Sequence, residues 1–169
     1  MKRKIRIGIS ACLLGEKCRY DGGHRYDHLL TETLGPLVKF VPVCPEVGCG
    51  LPVPREPMRL QGRPEFPRLL TIDTRIDHTK KMDRWARLRV HELEKEGLCG
   101  FIFKARSPSC GLQRVEVCDE EGVPHANGVG IFAWEFMNRF PEVPVEDSEG
   151  LQDPTIRENF IARIFALKR

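Results

Sequence analysis

A chain of 169 residues, 41 % hydrophobic and 30 % charged, is long enough for one sizeable core and is neither disordered nor fibrous in composition. Its formal net charge of +3 is scattered along the sequence, which suits a small anionic or polar ligand and argues against nucleic acid as a partner. No stretch approaches the roughly 20 apolar residues of a membrane span, and the N-terminal segment alternates where a signal peptide would be continuously apolar, so the sequence predicts a cytoplasmic protein with no membrane partner.

Ile5, Ile7 and Ile9 alternate with Arg6, Gly8 and Ser10, the period of a strand that ends near Ser10. The loop ACLLGEKCRYDGG follows. Leu29, Leu30 and Leu34 then recur at helical spacing over residues 24–34, and Gly35-Pro36 stops that helix. Residues 38–43 read as a second short strand. The next segment, CPEVGCGLPVPREP, carries four prolines and two glycines and is predicted to hold no regular structure. A loop of that length with cysteines and charges in it reads as functional.

A third strand is predicted over residues 68–73. Residues 77–96 are helical, with Met82, Trp85, Leu88 and Leu93 assigned to one apolar side and Gly97 as the C-terminal cap. Residues 99–104 form a short apolar run between turn signals, consistent with a buried strand, and ARSPSCG follows directly. A strand over 115–118, a helix over 128–139 with Phe132, Phe136 and Phe140 four apart, and a strand over 143–145 come next. Asp153-Pro154, an N-cap followed by proline at the first helical position, opens a last helix through Ile156, Phe160, Ile164 and Phe165. Strands alternating with helices predict a single α/β domain over residues 1–169, with a mostly parallel central sheet flanked by helices.

Seven cysteines is a high and odd number. In a reducing compartment an odd set argues for metal binding or catalysis before disulfides. Cys12, Cys44 and Cys110 each lie just beyond the C-terminal end of a predicted strand, in loops rich in Gly, Pro or Ser, and ligand sites of open α/β sheets gather at that edge. Backbone amides in such loops stabilise anionic sulfur. Cys18, Cys99 and Cys118 read instead as small core residues. Spacing leaves the chemistry open. A zinc site usually pairs its ligands closely, whereas Cys44 and Cys49 form a C-x4-C without a matching second pair, and the five histidines add no ligand pair. A reactive catalytic thiol or a redox sensor accounts for the same residues.

The segments GISACLLGEKCRYDGG, VPVCPEVGCGLPVPRE and FKARSPSCG resemble the three signature segments of the thiouracil desulfurase (TudS-type) family, and the resemblance covers essentially the whole chain. It implies an α/β domain with a 4Fe-4S cluster held by three cysteines, which fall on Cys12 of SACL, Cys44 of CPE and Cys110 of SPSCG. It implies two catalytic residues, which fall on Glu46 of CPE and Ser107 of SPSC. The implied activity is non-redox removal of sulfur from a small thiolated base, thiouracil going to uracil plus sulfide. Three thiolates leave one iron without a protein ligand, the feature that separates a catalytic centre from a closed structural one. Cys18 and Cys49 stand where relatives usually carry other residues, so neither is expected to be a ligand. The ending PVEDSEGLQDPTIRENFIARIFALKR resembles the junction in longer relatives that carry a second, helical domain, with helix 153–167 at that junction. Arg19, Asp21, Arg55 and Arg106 lie in the same loops; arginine suits planar, bidentate contact with a heterocycle or carboxylate, but structural ion pairs across the loops are an equal or better expectation, and the four are left out of the site. Two rival readings use the same residues: a cluster-bearing sulfur-carrier or partner module, and a redox sensor.

Overall fold

The computed structural model describes residues 3–167. The alternating segment forms β1 (Ile5–Ser10), buried on both faces over its last four residues, as a strand with a neighbour on each side must be. The chain leaves it through a 3-10 turn, Ala11–Leu14, and enters α1 (His28–Leu34). That helix starts later than its leucine spacing implied, because Asp27 supplies the N-cap: its carboxylate accepts from the Leu30 amide. β2 (Val38–Val43) returns parallel to β1, with Ile5 opposite Val38 and Ser10 opposite Val43. The expectation of no regular structure after it needs correction. With Cys44 at the N-cap and Pro45 at the first position, α2 (Pro45–Gly48) makes one helical turn, a place where proline is favourable.

β3 (Met58–Arg63) pairs antiparallel with β4 (Phe66–Thr71), which begins two residues before the strand expected over 68–73. α3 (Thr79–Leu93) buries Met82, Ala86, Val90 and Leu93, while Leu88 is 60 % exposed and does not belong to the apolar face assigned to it. Six residues at roughly 100° each set Leu88 about 120° round the helix from Met82. A 3-10 turn and left-handed Gly97 close the helix as expected. Next come β5 (Leu98–Phe103), β6 (Val115–Cys118), β7 (Pro124–Gly128) and α4 (Ile131–Arg139). β8 (Val145–Asp147) lies two residues beyond the strand expected over 143–145, and α5 (Pro154–Leu167) begins at the predicted Asp153-Pro154.

The central sheet has the order β2-β1-β5-β8, all pairs parallel, and helices cover both faces. On one side α1 and α5 bring Leu30, Leu34, Phe160 and Ile164 against Ile7, Ile9 and Ile102. On the other, α3 and α4 bring Val90, Phe132 and Phe136 against Phe101 and Phe103. A second four-stranded sheet, order β4-β3-β6-β7, was not anticipated. Its strands β3 and β7 contain glycine and charged or exposed residues, and β7 opens on a proline. Such strands form on pairing partners more than on intrinsic preference. No helix among the described residues is long and apolar enough to cross a membrane.

The chain runs from β1 outward to β2, then builds the other half of the sheet through β5 and β8. β1 is therefore a switch point, and the crevice beyond its carboxyl end is where such sheets hold ligands.

Candidate active site

Three loops leave the carboxyl ends of β1, β2 and β5, and each is tied down by its own hydrogen bonds. Cys12 sits in the 3-10 turn after β1, and its carbonyl accepts from the Gly15 amide at 3.2 Å and the Arg25 amide at 2.9 Å. Cys44 is the N-cap of α2, with its carbonyl accepting from Gly48 at 2.8 Å. After β5 the backbone turns through left-handed Arg106 (φ 64°) into the Cys110 loop. There the Ser107 hydroxyl oxygen accepts from the Cys110 amide at 3.1 Å and the Ser109 amide at 3.3 Å. Ser107 thus caps this turn. The carbonyls of Pro108 and Ser109 accept from the first amides of α4, Ile131, Phe132 and Ala133. They fill the donors that a helix start leaves open. The ends of β1 and β5 are joined by the Lys104 amide, which donates to the Ser10 hydroxyl at 2.8 Å.

Cys12, Cys44, Glu46, Ser107 and Cys110 all line one cavity at these strand ends. Residues 98 positions apart in sequence, Cys12 and Cys110, share it. Cys18 lines it too, while also packing in the core beside α1, so its reading as a core residue was incomplete. Cys49, Cys99 and Cys118 do not line it. The Cys49 thiol points back to donate to the Glu46 carbonyl at 3.3 Å, which splits the C-x4-C pair. None of the seven cysteines is in a disulfide. Among the described residues, no three His, Cys, Asp or Glu side chains converge on one point as a mononuclear site requires. Thiolates on a multi-iron cluster bind separate metal atoms, and a shared cavity wall is the arrangement they need.

Burial pushes the Cys12 and Cys110 thiols up; the nearby cations Lys104 and Arg19 oppose it at Cys12, and the Ser10 side chain opposes it at Cys110. Cys44 differs. Hydrogen bonding from the Cys18 thiol holds it down, at about 7, against desolvation, and the Val47 amide acts the same way. The same partnership, with burial, pushes Cys18 up. The Cys44 sulfur lies 3.8 Å from the Cys18 carbonyl oxygen, so the two loops touch at this point. Lys104, partly buried at the rim, is held below its ordinary value by desolvation.

A polar network lines the same cavity as the thiols. The Ser109 hydroxyl donates to Glu46 Oε2 at 3.2 Å and lies 3.2 Å from the Ser107 hydroxyl. Arg55 Nε donates to Glu46 Oε1 at 3.3 Å. Arg106 makes the structural ion pair expected of it, with Glu149 at 3.1 Å, and Asp21 accepts from the Gly23 amide at 2.8 Å. Arg19 and Arg55 do not stay outside: both line the cavity, and Arg55 pairs with Glu46 there. Arg55 was the residue whose place sequence reasoning missed. The only signal was its position in a cysteine loop, which it shares with many residues that line nothing.

A model of the 2-thiouracil desulfurase family matches residues 7–148, a span that takes in all three cysteine loops. The chain belongs to that family. It is accordingly an enzyme of the desulfurase type. The desulfurase is similar to a solved structure described as a 4Fe-4S-dependent thiouracil desulfidase, TudS. The two are 31 % identical with a TM-score of 0.68, over 94 % of this chain and 99 % of the other. It is also 31 % identical over 117 residues to the uncharacterized protein YbbK of Bacillus subtilis (strain 168), covering 62 % of this chain and 72 % of that one.

Proposed function

We propose that this desulfurase exchanges the C=S of a thiolated pyrimidine for C=O with water, thiouracil and water giving uracil and hydrogen sulfide, at a 4Fe-4S cluster held by Cys12, Cys44 and Cys110. The observation that carries this reading is the meeting of these three thiols with Glu46 and Ser107 on one cavity at the strand ends. The donor set fits the group. Three thiols beside the cations Arg19, Lys104 and Arg55 suit an anionic, sulfide-rich cluster rather than a hard ion that seeks oxygen. When bound by three protein thiolates, such a cluster supplies one open iron, a soft Lewis acid for a thiocarbonyl sulfur.

The remaining work falls to the chain's own residues. Glu46 takes a proton from the attacking water and returns one to the departing sulfur, general acid/base roles that one carboxylate can alternate between. Its oxygens are held apart by different partners, Arg55 and Ser109, so the carboxylate cannot swing freely. Ser107 holds the substrate. Its oxygen already accepts from the Cys110 and Ser109 amides and its hydrogen faces the Ser109 hydroxyl at 3.2 Å, so it engages substrate by turning that hydrogen from Ser109 to a ring nitrogen or to the oxygen forming at carbon. The exchange leaves the carbon at the same oxidation level, so neither electron donor nor acceptor enters. Residues 1–169 act in this reading as one unit, with α5 covering the core through Phe160 and Ile164.

The test is anaerobic reaction of reconstituted protein with thiouracil alone. Uracil and sulfide in equal amounts, with no added reductant, is the expected result. Strict dependence on a reductant would overturn the non-redox reading. A loaded cluster without turnover would favour the sulfur-carrier module.

A further inference from the structure

Arg55 lies in the proline-rich loop after α2, yet its side chain is only 5 % exposed, against 18 % for Glu46. Its guanidinium donates to three acceptors from three places in the chain. Nε meets Glu46 Oε1 at 3.3 Å, one terminal nitrogen meets the Pro52 carbonyl at 3.1 Å, and the other meets the Cys18 carbonyl at 2.8 Å. Its own amide donates to the Tyr20 carbonyl at 2.7 Å. The loop carrying Glu46 is thereby clamped to the loop that begins at Cys12.

We propose that Arg55 is a positioning residue for Glu46, fixing the rotation and depth of its carboxylate at the cavity; this rests on Glu46 acting as acid and base. The geometry of the donors decides it. A guanidinium is planar, and its nitrogens diverge in a fixed fork, so seating two of them on the Pro52 and Cys18 carbonyls determines where Nε points. Nε then holds Oε1 while the Ser109 hydroxyl holds Oε2 from the other side. With one partner on each oxygen, rotation of the carboxylate is restricted while Glu46 lines the cavity. A lysine carries the same charge but a single nitrogen, and cannot satisfy three diverging acceptors at once. Arg55 also brings positive charge to the wall that carries the thiols, and Arg55→Lys keeps that charge, so what the substitution changes is the hold on Glu46.

Arg55→Lys, Glu46→Gln and the double variant, each reconstituted anaerobically, test this. Arg55→Lys should lower kcat about ten- to a hundredfold with little change in KM, the scale expected when a reacting group is displaced by about an ångström. Iron and sulfide per chain should match the unaltered protein. In the Glu46→Gln background the same change should cost almost nothing more, because its target is gone. In the cluster-free protein, the carboxylate infrared band that disappears in Glu46→Gln should shift in Arg55→Lys. Multiplying losses in the double variant, an unmoved band, or iron lost in parallel with rate would each overturn the positioning role. A near-normal rate for Glu46→Gln alone would instead overturn the acid/base reading on which it rests.

Discussion

A β-carbon on Gly130 would stand 2.7 Å from the backbone nitrogen of Cys110 and 2.5 Å from the carbonyl carbon of Ser109, so α4 and the Cys110 loop meet backbone to backbone. The Gly130 amide donates to the Gly111 carbonyl at 2.8 Å across the same contact. Glycine is required here for close approach, not for a left-handed turn, since its φ is −60°. Gly130→Ala should push the loop off the helix at a cost of about 1–3 kcal/mol, the usual range for overpacking, because the atoms in the way are backbone and cannot rotate aside. Thermal unfolding should register that loss, and iron retained per chain after reconstitution should fall. Iron retention equal to the unaltered protein would show that the loop does not depend on this contact.

Single Cys→Ser variants separate the ligands from the bystanders. Cys12→Ser, Cys44→Ser and Cys110→Ser should each lose bound iron, whereas Cys18→Ser, Cys49→Ser, Cys99→Ser and Cys118→Ser should keep it. The informative comparison lies within the C-x4-C pair, where only Cys44 faces the cavity. Iron lost from Cys49→Ser and kept by Cys44→Ser would reverse the assignment.

Glu46→Ala and Ser107→Ala should retain the cluster and lose turnover, by about a hundred- to ten-thousandfold for a group in general acid/base catalysis. Ser107→Ala carries a second consequence. It leaves the Cys110 amide without its acceptor, a cost of about 1–3 kcal/mol for a buried donor, so this variant should also melt earlier. Turnover measured well below the new midpoint distinguishes the two effects. A near-normal rate at either position removes that residue from the chemistry.

Two substitutions on helices test where the core lies. Phe136→Ala empties a fully buried site among Phe101, Phe103, Phe132 and Phe140 and should cost about 3–5 kcal/mol. Leu88→Ala, at a position 60 % exposed, should stay within about 0.5 kcal/mol. Denaturant unfolding of the two variants gives the comparison. A large loss at Leu88 would restore it to the apolar face that its spacing first implied.

Sequence by itself determined the frame and the address of the site. Isoleucines at every second position in β1, the continuous apolar run of β5 and the Asp-Pro start of α5 are local signals, set by residues a few positions apart. They were legible because burial on both faces, or a helix start, imposes a residue pattern that no distant contact needs to explain. The loops after β1, β2 and β5 followed from those strands, and with them the neighbourhood of Cys12, Cys44 and Cys110. Resemblance to a family, not spacing, supplied the iron–sulfur reading of those cysteines. Tertiary structure alone decided what depends on pairing across long separations. β3 and β7 are strands because β4 and β6 offer them hydrogen-bonding edges, and their own residues carry little preference. Cys18 reaches the cavity although its context reads as core, and Cys49 is turned away by a bond to the Glu46 carbonyl. Ser109 gains its place from a carboxylate 63 residues away, and Arg55 is seated by the Cys18 carbonyl 37 residues before it. A side chain's hydrogen-bond partner across that distance leaves no periodicity in the sequence, because it is set by where the folded strands end.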